Sequence, residues 1–322
     1  MTSLELPPAI CLMGPTACGK TRAAVELAAT GPFEIISVDS ALVYRGLDIG
    51  AGKPDAATLA RAPHRLVDIR DPADTYSAAD FRNDAITEMK ATVARGKVPL
   101  LVGGTMLYFK ALRDGLAAMP SATPEIRQRI VDLAAAEGWT AVHARLQAVD
   151  PVAAKRIHPN DPQRLQRALE VYEVSGQSMS DLHEAQALDQ VADLPCSLHF
   201  IAMLPQDRAA LHQLIAERFQ TMLDAGLVDE VKTLKQRADL HSALPSIRSV
   251  GYRQVWEFIE GNVDYETMTS KAIAATRQLA KRQLTWLRSW RDLSELTCSL
   301  TSEDVTNVES HLKNQRHIPI DW

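Results

Sequence analysis

Residues 14–21 read Gly14-Pro15-Thr16-Ala17-Cys18-Gly19-Lys20-Thr21, and this stretch decides the fold. It fits G-x-x-x-x-G-K-[ST], a loop whose backbone N–H groups and lysine wrap around phosphate oxygens. The flanks suit that reading. The apolar run Ala9-Ile10-Cys11-Leu12-Met13 predicts a short buried strand ahead of the loop. Arg22 to Ala29 predicts a helix behind it, stopped near Gly31. A helix N-terminus aimed at such a loop offers free N–H donors and a partial positive charge, which stabilise an anion. A diphosphate or triphosphate is therefore expected at Gly14 to Thr21. The alternative is a glycine-rich strand-to-helix turn that binds nothing.

Outward from the loop, Phe33-Glu34-Ile35-Ile36-Ser37-Val38 predicts a second buried strand, ending at Asp39-Ser40. Tyr44 to Pro54 is glycine-rich and polar, a long irregular connection of the kind that usually carries function. Leu66-Val67-Asp68-Ile69 predicts a short strand. Ser77 reads as an N-cap, with Asp80 three residues on, for a helix to about Arg95 closed by Gly96. Val98 to Val102 predicts another strand, followed by Gly103-Gly104-Thr105. Strand and helix in alternation imply a parallel sheet covered on both faces.

From about Pro120 the pattern turns helical. Thr123-Pro124 reads as an N-cap with proline at the first helical position, starting a helix to about Glu137. Helices at about 139–149 and 162–175 follow, and Ser197 to Leu204 then returns as a strand. The expected fold is α/β: a P-loop NTPase-like parallel sheet flanked by helices, with an all-helical insertion domain. The core takes residues 1–120 plus 193–322, including the C-terminal helices, and the insertion takes 121–192. The segment from Asp207 to about Trp290 reads as mostly helical, and the polar tail after Asp292 offers no element.

The 322 residues, 46% hydrophobic and 23% charged, are ordinary for a soluble globular protein. The first eight residues lack a basic, apolar leader pattern, and no apolar run is long enough to span a bilayer, so a cytoplasmic protein is expected. Cys11, Cys18, Cys196 and Cys298 show no C-x-x-C spacing, which indicates neither a zinc site nor a disulfide framework. A net charge of −5 argues mildly against generic nucleic-acid binding but leaves a local basic surface open.

Asp39 is placed at the carboxyl end of a strand, the edge where open α/β sheets hold ligands. A carboxylate beside a phosphate loop cannot be there to bind phosphate. It can take a proton from a nucleophile or hold Mg²⁺ through water; the alternative is an Asx turn. Gly103-Gly104 would let a ligand approach the backbone, with the Thr105 hydroxyl donating to phosphate; the alternative is a tight turn. Three basic patches stand out: Gln163-Arg164-Leu165-Gln166-Arg167, Arg248-Ser249-Val250-Gly251-Tyr252-Arg253, and a C-terminal helix with Lys271, Arg277, Lys281, Arg282, Arg288 and Arg291. At helical pitch Arg277, Lys281 and Arg288 form one stripe beside Ile273, Leu284 and Leu287. Such patches contact a nucleic-acid backbone or exposed bases, or are simply solvated faces. His64, His158, His199, His212 and His241 have no metal-ligand spacing, and Trp139, Trp256, Trp286 and Trp290 read as core.

Together, residues 14–21, Asp39-Ser40, Tyr44-Arg45-Gly46, Gly103-Gly104-Thr105, Ile157 to Asp161, Arg164 to Glu170, Val250 to Arg253 and Thr276 to Gln283 resemble the bacterial tRNA dimethylallyltransferases. The likeness runs in order from about residue 9 to 290. There are three departures: Cys18 where serine is usual, Leu42 where many members have glutamine, and Ala51-Gly52 where Thr-Ala is common. The resemblance implies transfer of a dimethylallyl group from its diphosphate to the exocyclic N6 of the adenosine beside the anticodon. It implies that the phosphate loop and Lys20 grip the donor's diphosphate, with Mg²⁺ near Thr21, directly or through water. Thr105 and Arg218 would assist there, and Asp39 would be the general base. Its tRNA contacts carry over to Asp39, Ser40, Ala41, Leu42, Thr105, Arg127 and Gln163 to Arg167. They also carry over to Arg248 to Arg253 and to Lys281, Arg282, Gln283, Leu284, Thr285, Trp286, Leu287 and Arg288. The implied partners are the tRNA anticodon stem-loop, clasped by the insertion, and dimethylallyl diphosphate; no membrane partner is implied, and a monomer is expected.

Two other readings share the fold. A small-molecule kinase would use Asp39 to bind an acceptor hydroxyl and ATP as donor, but the strand ending in Gly103 lacks a Walker-B acid. A nucleotide-switch protein that binds RNA would give Asp39 no chemical role.

Overall fold

The computed structural model describes residues 6–116, 119–120, 123–188, 194–301, 303–315, 318 and 320. Residues 121, 192 and 193, where the insertion is expected to begin and end, lie outside the described residues, as do residues 1–5 of the stretch read against a leader. The chain divides into two units, one of Met1–Arg113 with Leu194–Trp322 and one of Asp114–Asp193.

The first unit begins β1 (Pro8–Met13), α1 (Lys20–Thr30), β2 (Phe33–Val38), α2 (Ala56–Arg61), β3 (His64–Arg65), α3 (Ala78–Ala94), β4 (Val98–Gly103) and α4 (Met106–Asp114). The second unit holds α5 (Pro124–Glu137), α6 (Trp139–Val149), α7 (Pro151–Arg156), α8 (Pro162–Ser175) and α9 (Met179–Leu188). The chain then completes the first unit with β5 (Ser197–Pro205), α10 (Arg208–Asp224), α11 (Leu227–Lys235), α12 (Tyr252–Ile259), α13 (Tyr265–Arg288), β6 (Leu293–Cys298) and α14 (Glu303–Asn314).

The six strands form one parallel sheet in the order β3-β2-β4-β1-β5-β6. β1 lies inside it and is buried along its whole length. Its side chains alternate between layers: Ala9, Cys11 and Met13 enter one core, Ile10 and Leu12 the other. That is the two-residue period of a strand covered on both faces. Strand register sets where the connecting loops leave the sheet. Met13 pairs with Gly103, and Val38 pairs with Gly103, so β1, β2 and β4 end level with one another. The loops leaving β1, β2 and β4 therefore emerge on one edge.

Local signals set the helix ends. Ser77 and Asp80 form a reciprocal capping box at α3: Ser77 Oγ accepts from the Asp80 N–H at 3.1 Å, and Asp80 Oδ2 accepts from the Ser77 N–H at 2.9 Å. Thr123 and Asp161 cap α5 and α8, each with proline at the first position. The second unit has its own core, built on Ile130, Val142, Leu146, Leu165 and Leu169.

Two expectations are corrected. The third strand is His64–Arg65, paired with Ile35 and Ile36, and not Leu66 to Ile69. Leu66 and Asp68 have φ of 62° and 58°, a left-handed backbone that cannot continue a strand. The tail after Asp292 is not featureless: β6 extends the sheet beside β5, and Val308 and Leu312 of α14 join the core around α1. The four cysteines are buried and free. Among the described residues no helix is long and apolar enough to cross a membrane.

Candidate active site

The loops after β1, β2 and β4, together with α10 and α13, surround an open cleft of about 840 Å³. The loop at Gly14–Thr21 is its floor. Gly14, Ala17 and Gly19 have φ of 155°, 65° and 89°, turning the backbone sharply between β1 and α1. Gly14 is required by packing, since a Cβ there would stand 2.7 Å from the Met203 carbonyl oxygen. Lys20 folds over the loop, its Nζ donating to the Pro15 carbonyl at 2.6 Å and approaching Cys18 Sγ at 3.6 Å. Cys18, which departs from the usual serine, is fully buried in the core layer under α1. Thr21 lies exposed in the first turn of α1 and lines the cleft.

Asp39 follows β2 directly and lines the cleft half-buried. Its Oδ1 accepts from the N–H groups of Ala41 at 2.8 Å and Leu42 at 3.4 Å. The Asx turn read as an alternative is therefore present, yet it takes only one oxygen. Oδ2 has no hydrogen-bond donor among the described residues. Thr105 Oγ1 accepts from the Ser40 N–H at 3.1 Å, tying the turn after β4 to the one after β2. The two glycines before it line the cleft and are also required by packing within the protein. A Cβ at Gly103 would overlap the Val38 carbonyl, and one at Gly104 would overlap the Gln283 amide.

Arg218 reaches the same cleft from α10. Its guanidinium lies against the Cα face of Gly52, so closely that a Cβ there would overlap it. Arg218 keeps solvent contact along the cleft, yet burial lowers its pKa while the nearby charge of Asp39 raises it. It has no hydrogen bond among the described residues.

The segment Asp48–Gly52 is held by a residue that the sequence did not single out. The Glu230 carboxylate accepts from the N–H groups of Asp48 at 3.1 Å, Ile49 at 2.7 Å and Gly50 at 3.2 Å, and from the Tyr252 hydroxyl at 2.6 Å. The Tyr252 oxygen in turn accepts from the Ala51 N–H at 3.1 Å. Burial first, then the Glu230 charge, pushes the Tyr252 phenol well above its ordinary range. Tyr252 is fully buried, so this member of the expected tRNA patch is a loop support. Of its neighbours, Arg248, Ser249, Val250 and Gly251 line the cleft, whereas Arg253 is exposed elsewhere. No sequence motif marks Glu230; its role exists only once α11 and α12 meet the loop.

α13 brings part of the expected contact set to the cleft. Thr276, Leu279, Arg282, Gln283 and Trp286 line the cleft, whereas Arg277, Lys281 and Arg288 do not. The basic stripe is exposed outside the cleft, with Arg277 Nη2 donating to the His212 carbonyl at 3.3 Å, and Arg291 lies beyond the helix end. Leu287 is buried, Leu284 half-buried and Thr285 exposed. Trp286 is 37% exposed at the cleft and so is not core, unlike Trp256 and Trp290. Gln283 is buried, with both ends of its amide bonded inside the protein. Ser40, Ala41 and Leu42 line the cleft beside Asp39.

The remaining expected contacts belong to the second unit. Glu170, buried to 2%, accepts from Arg127 Nε at 3.0 Å and Gln166 Nε2 at 2.8 Å, with Arg167 at 3.7 Å. Arg164 pairs with Asp161 at 3.4 Å and Gln163 is exposed. Leu165 is wholly buried in that unit's core, which removes its side chain from any surface contact.

The sequence model described as IPP transferase matches residues 42–290. Among solved structures, the chain is similar to the full-length tRNA isopentenylpyrophosphate transferase of Bacillus halodurans, at 32% identity over 96% of this chain and 95% of that one, with a TM-score of 0.69. It is also similar to the tRNA delta(2)-isopentenylpyrophosphate transferase of Staphylococcus epidermidis, at 32% identity over 95% and 98% of the two chains, TM-score 0.65. A eukaryotic dimethylallyltransferase acting on tRNA shares the fold at 23% identity over 98% and 81%, TM-score 0.78. With a family match across most of its length, and a cleft formed where its phosphate loop and Asp39 meet, this chain belongs to the IPP transferase family.

Proposed function

We propose that this chain transfers a dimethylallyl group from dimethylallyl diphosphate to the exocyclic N6 of the adenosine beside the anticodon of tRNA, releasing diphosphate. The observation that carries the reading is the gathering of Lys20, Asp39, Thr105 and Arg218 on one cleft, in a chain of the IPP transferase family. The loop at Gly14–Thr21 would hold the donor's diphosphate. Charge builds on that group as the carbon–oxygen bond stretches, so Lys20, Arg218 and the loop N–H donors lower the barrier. The adenine amine is a weak nucleophile because its lone pair is delocalised into the ring. Asp39, through the oxygen not taken by its turn, would orient the amine and accept its proton as the new C–N bond forms. The base must leave the anticodon-loop stack to arrive there.

The donor set suits a hard divalent cation. The Thr21 hydroxyl and Asp39 carboxylate line the cleft, and among the described residues no three His, Cys, Asp or Glu side chains are grouped so as to hold a metal ion by themselves. Mg²⁺ would thus be held by Thr21, directly or through water, with substrate phosphate completing its shell. When bound it neutralises charge on the diphosphate oxygens. For tRNA, Arg248, Arg282 and Trp286 at the cleft supply charge and a ring face, and Arg127, Gln163, Arg164 and Arg167 do so on the second unit. We take the enzyme to act as a monomer in the cytoplasm. The kinase reading is disfavoured, since β4 ends in glycine with no acid.

Single-turnover transfer from radiolabelled dimethylallyl diphosphate to unmodified tRNA tests this. Label should enter tRNA with the wild type, and Asp39→Ala should slow the step by roughly 10²–10⁴-fold, the range for general-base loss. No label with wild type would end the reading. An unchanged rate for Asp39→Ala would remove Asp39 as the base.

A further inference from the structure

We infer that Gln283 is a positioning residue for the diphosphate loop and not a contact to tRNA. The inference rests on the function proposed above and deepens it. Gln283 Oε1 accepts from the Thr16 N–H at 2.9 Å, and Gln283 Nε2 donates to the Gly104 carbonyl at 2.9 Å. The side chain is 7% exposed, and its amide occupies the space that a Cβ at Gly104 would fill. Its partners stand 267 and 179 residues away in sequence, so one side chain joins α13 to the loop after β1 and to the turn after β4.

A carboxamide suits this task because it accepts through oxygen and donates through nitrogen from one planar group. An ionised carboxylate of the same size keeps the first bond and loses the second. A thioether of similar length makes neither well. The loop needs such a tie, because Ala17 is held at φ 65°, a conformation unfavourable for a residue with a Cβ. The bond also commits the Thr16 N–H to the protein, leaving the N–H groups further along the loop and at the start of α1 for phosphate. Arg282 and Trp286, on the same helix, line the cleft while Gln283 anchors it. α13 thus serves the nucleic-acid side with one set of residues and the donor side with another.

The test compares wild type, Gln283→Met and Gln283→Glu. Binding of inorganic diphosphate is measured by calorimetry, binding of unmodified tRNA by filter retention, and KM for each substrate in the transfer assay. Gln283→Met should weaken inorganic diphosphate and raise the KM for dimethylallyl diphosphate by about 10-fold, the scale of lost hydrogen bonds at a buried site. Affinity for tRNA should stay within about twofold. Gln283→Glu, nearly isosteric, keeps the bond from Thr16 and loses the one to Gly104, so it should show the same split to a smaller degree, and it keeps the test valid if Gln283→Met does not fold. Loss of tRNA affinity with diphosphate binding unchanged would overturn the inference, as would no change in either. A general loss of fold would lower both affinities together, which the split excludes. The underlying reading fails separately, if wild type binds diphosphate but transfers no prenyl group.

Discussion

Tyr252 uses its hydroxyl twice, donating to Glu230 and accepting from the Ala51 N–H, and so fixes a loop more than 200 residues away in sequence. Tyr252→Phe keeps the ring and leaves a half-buried carboxylate oxygen and an N–H each short of one partner. The expected cost is about 1–3 kcal/mol, read by denaturant unfolding, with tRNA affinity unchanged in a binding assay. Loss of tRNA affinity at unaltered stability would instead make Tyr252 a surface contact. The phenol's pKa is raised by folding, so the folded chain keeps a proton that the unfolded chain loses above about pH 10. The stability gap between wild type and Tyr252→Phe should therefore be full below that pH and shrink above it. A gap that widens at alkaline pH would contradict the assignment.

At the scale of elements, α13 shows why a helix needs its surroundings before its faces can be read. Its charges were visible in sequence, but which arc of the helix meets the sheet edge was set by packing. Arg282→Ala should reduce transfer by about 10-fold, the effect of one lost charge-assisted contact, whereas Lys281→Ala and Arg288→Ala should stay within about twofold. Equal losses at all three in the transfer assay would restore the stripe Arg277–Lys281–Arg288 as the functional face. α3 is the opposite case, since both partners of its capping box lie within four residues. Ser77→Ala should cost about 1 kcal/mol in an unfolding titration without changing transfer kinetics, because Ser77 lies outside the cleft. Leu66 to Ile69 is apolar enough for a strand, yet its backbone turns left-handed at Leu66 and Asp68, which hydrophobicity does not encode.

For the molecule as a whole, a net charge of −5 must coexist with an anionic partner. It does so locally: Lys20, Arg22, Arg218, Arg248 and Arg282 line the cleft with Asp39, and on the second unit, itself rich in acids, buried Glu170 fixes Arg127 and Arg167. Binding of tRNA should then weaken linearly on a logarithmic salt scale. Arg164→Ala should lower the magnitude of that slope by about 1. A slope near zero would mean that the phosphate contacts are absent. Arg164 suits this test, for it is exposed and, among the described residues, paired with nearby Asp161.

What the sequence by itself determined is what short-range chemistry encodes. The alternation of apolar runs and capped helices specified a parallel sheet, and residues 14–21 and Asp39 marked its functional edge. The start of α5 was legible in Thr123-Pro124, a local backbone constraint. The tertiary structure alone decided what depends on segments meeting from opposite ends of the chain. β6, Leu293–Cys298, carries too few apolar residues to read as a strand and is one by pairing with β5, and a Cβ at Gly104 would overlap Gln283. Glu230, Tyr252 and Gln283 gained their roles in the same way. A hydrogen bond across 179 or 267 residues leaves no periodic trace in sequence, since its geometry is created only when the core closes.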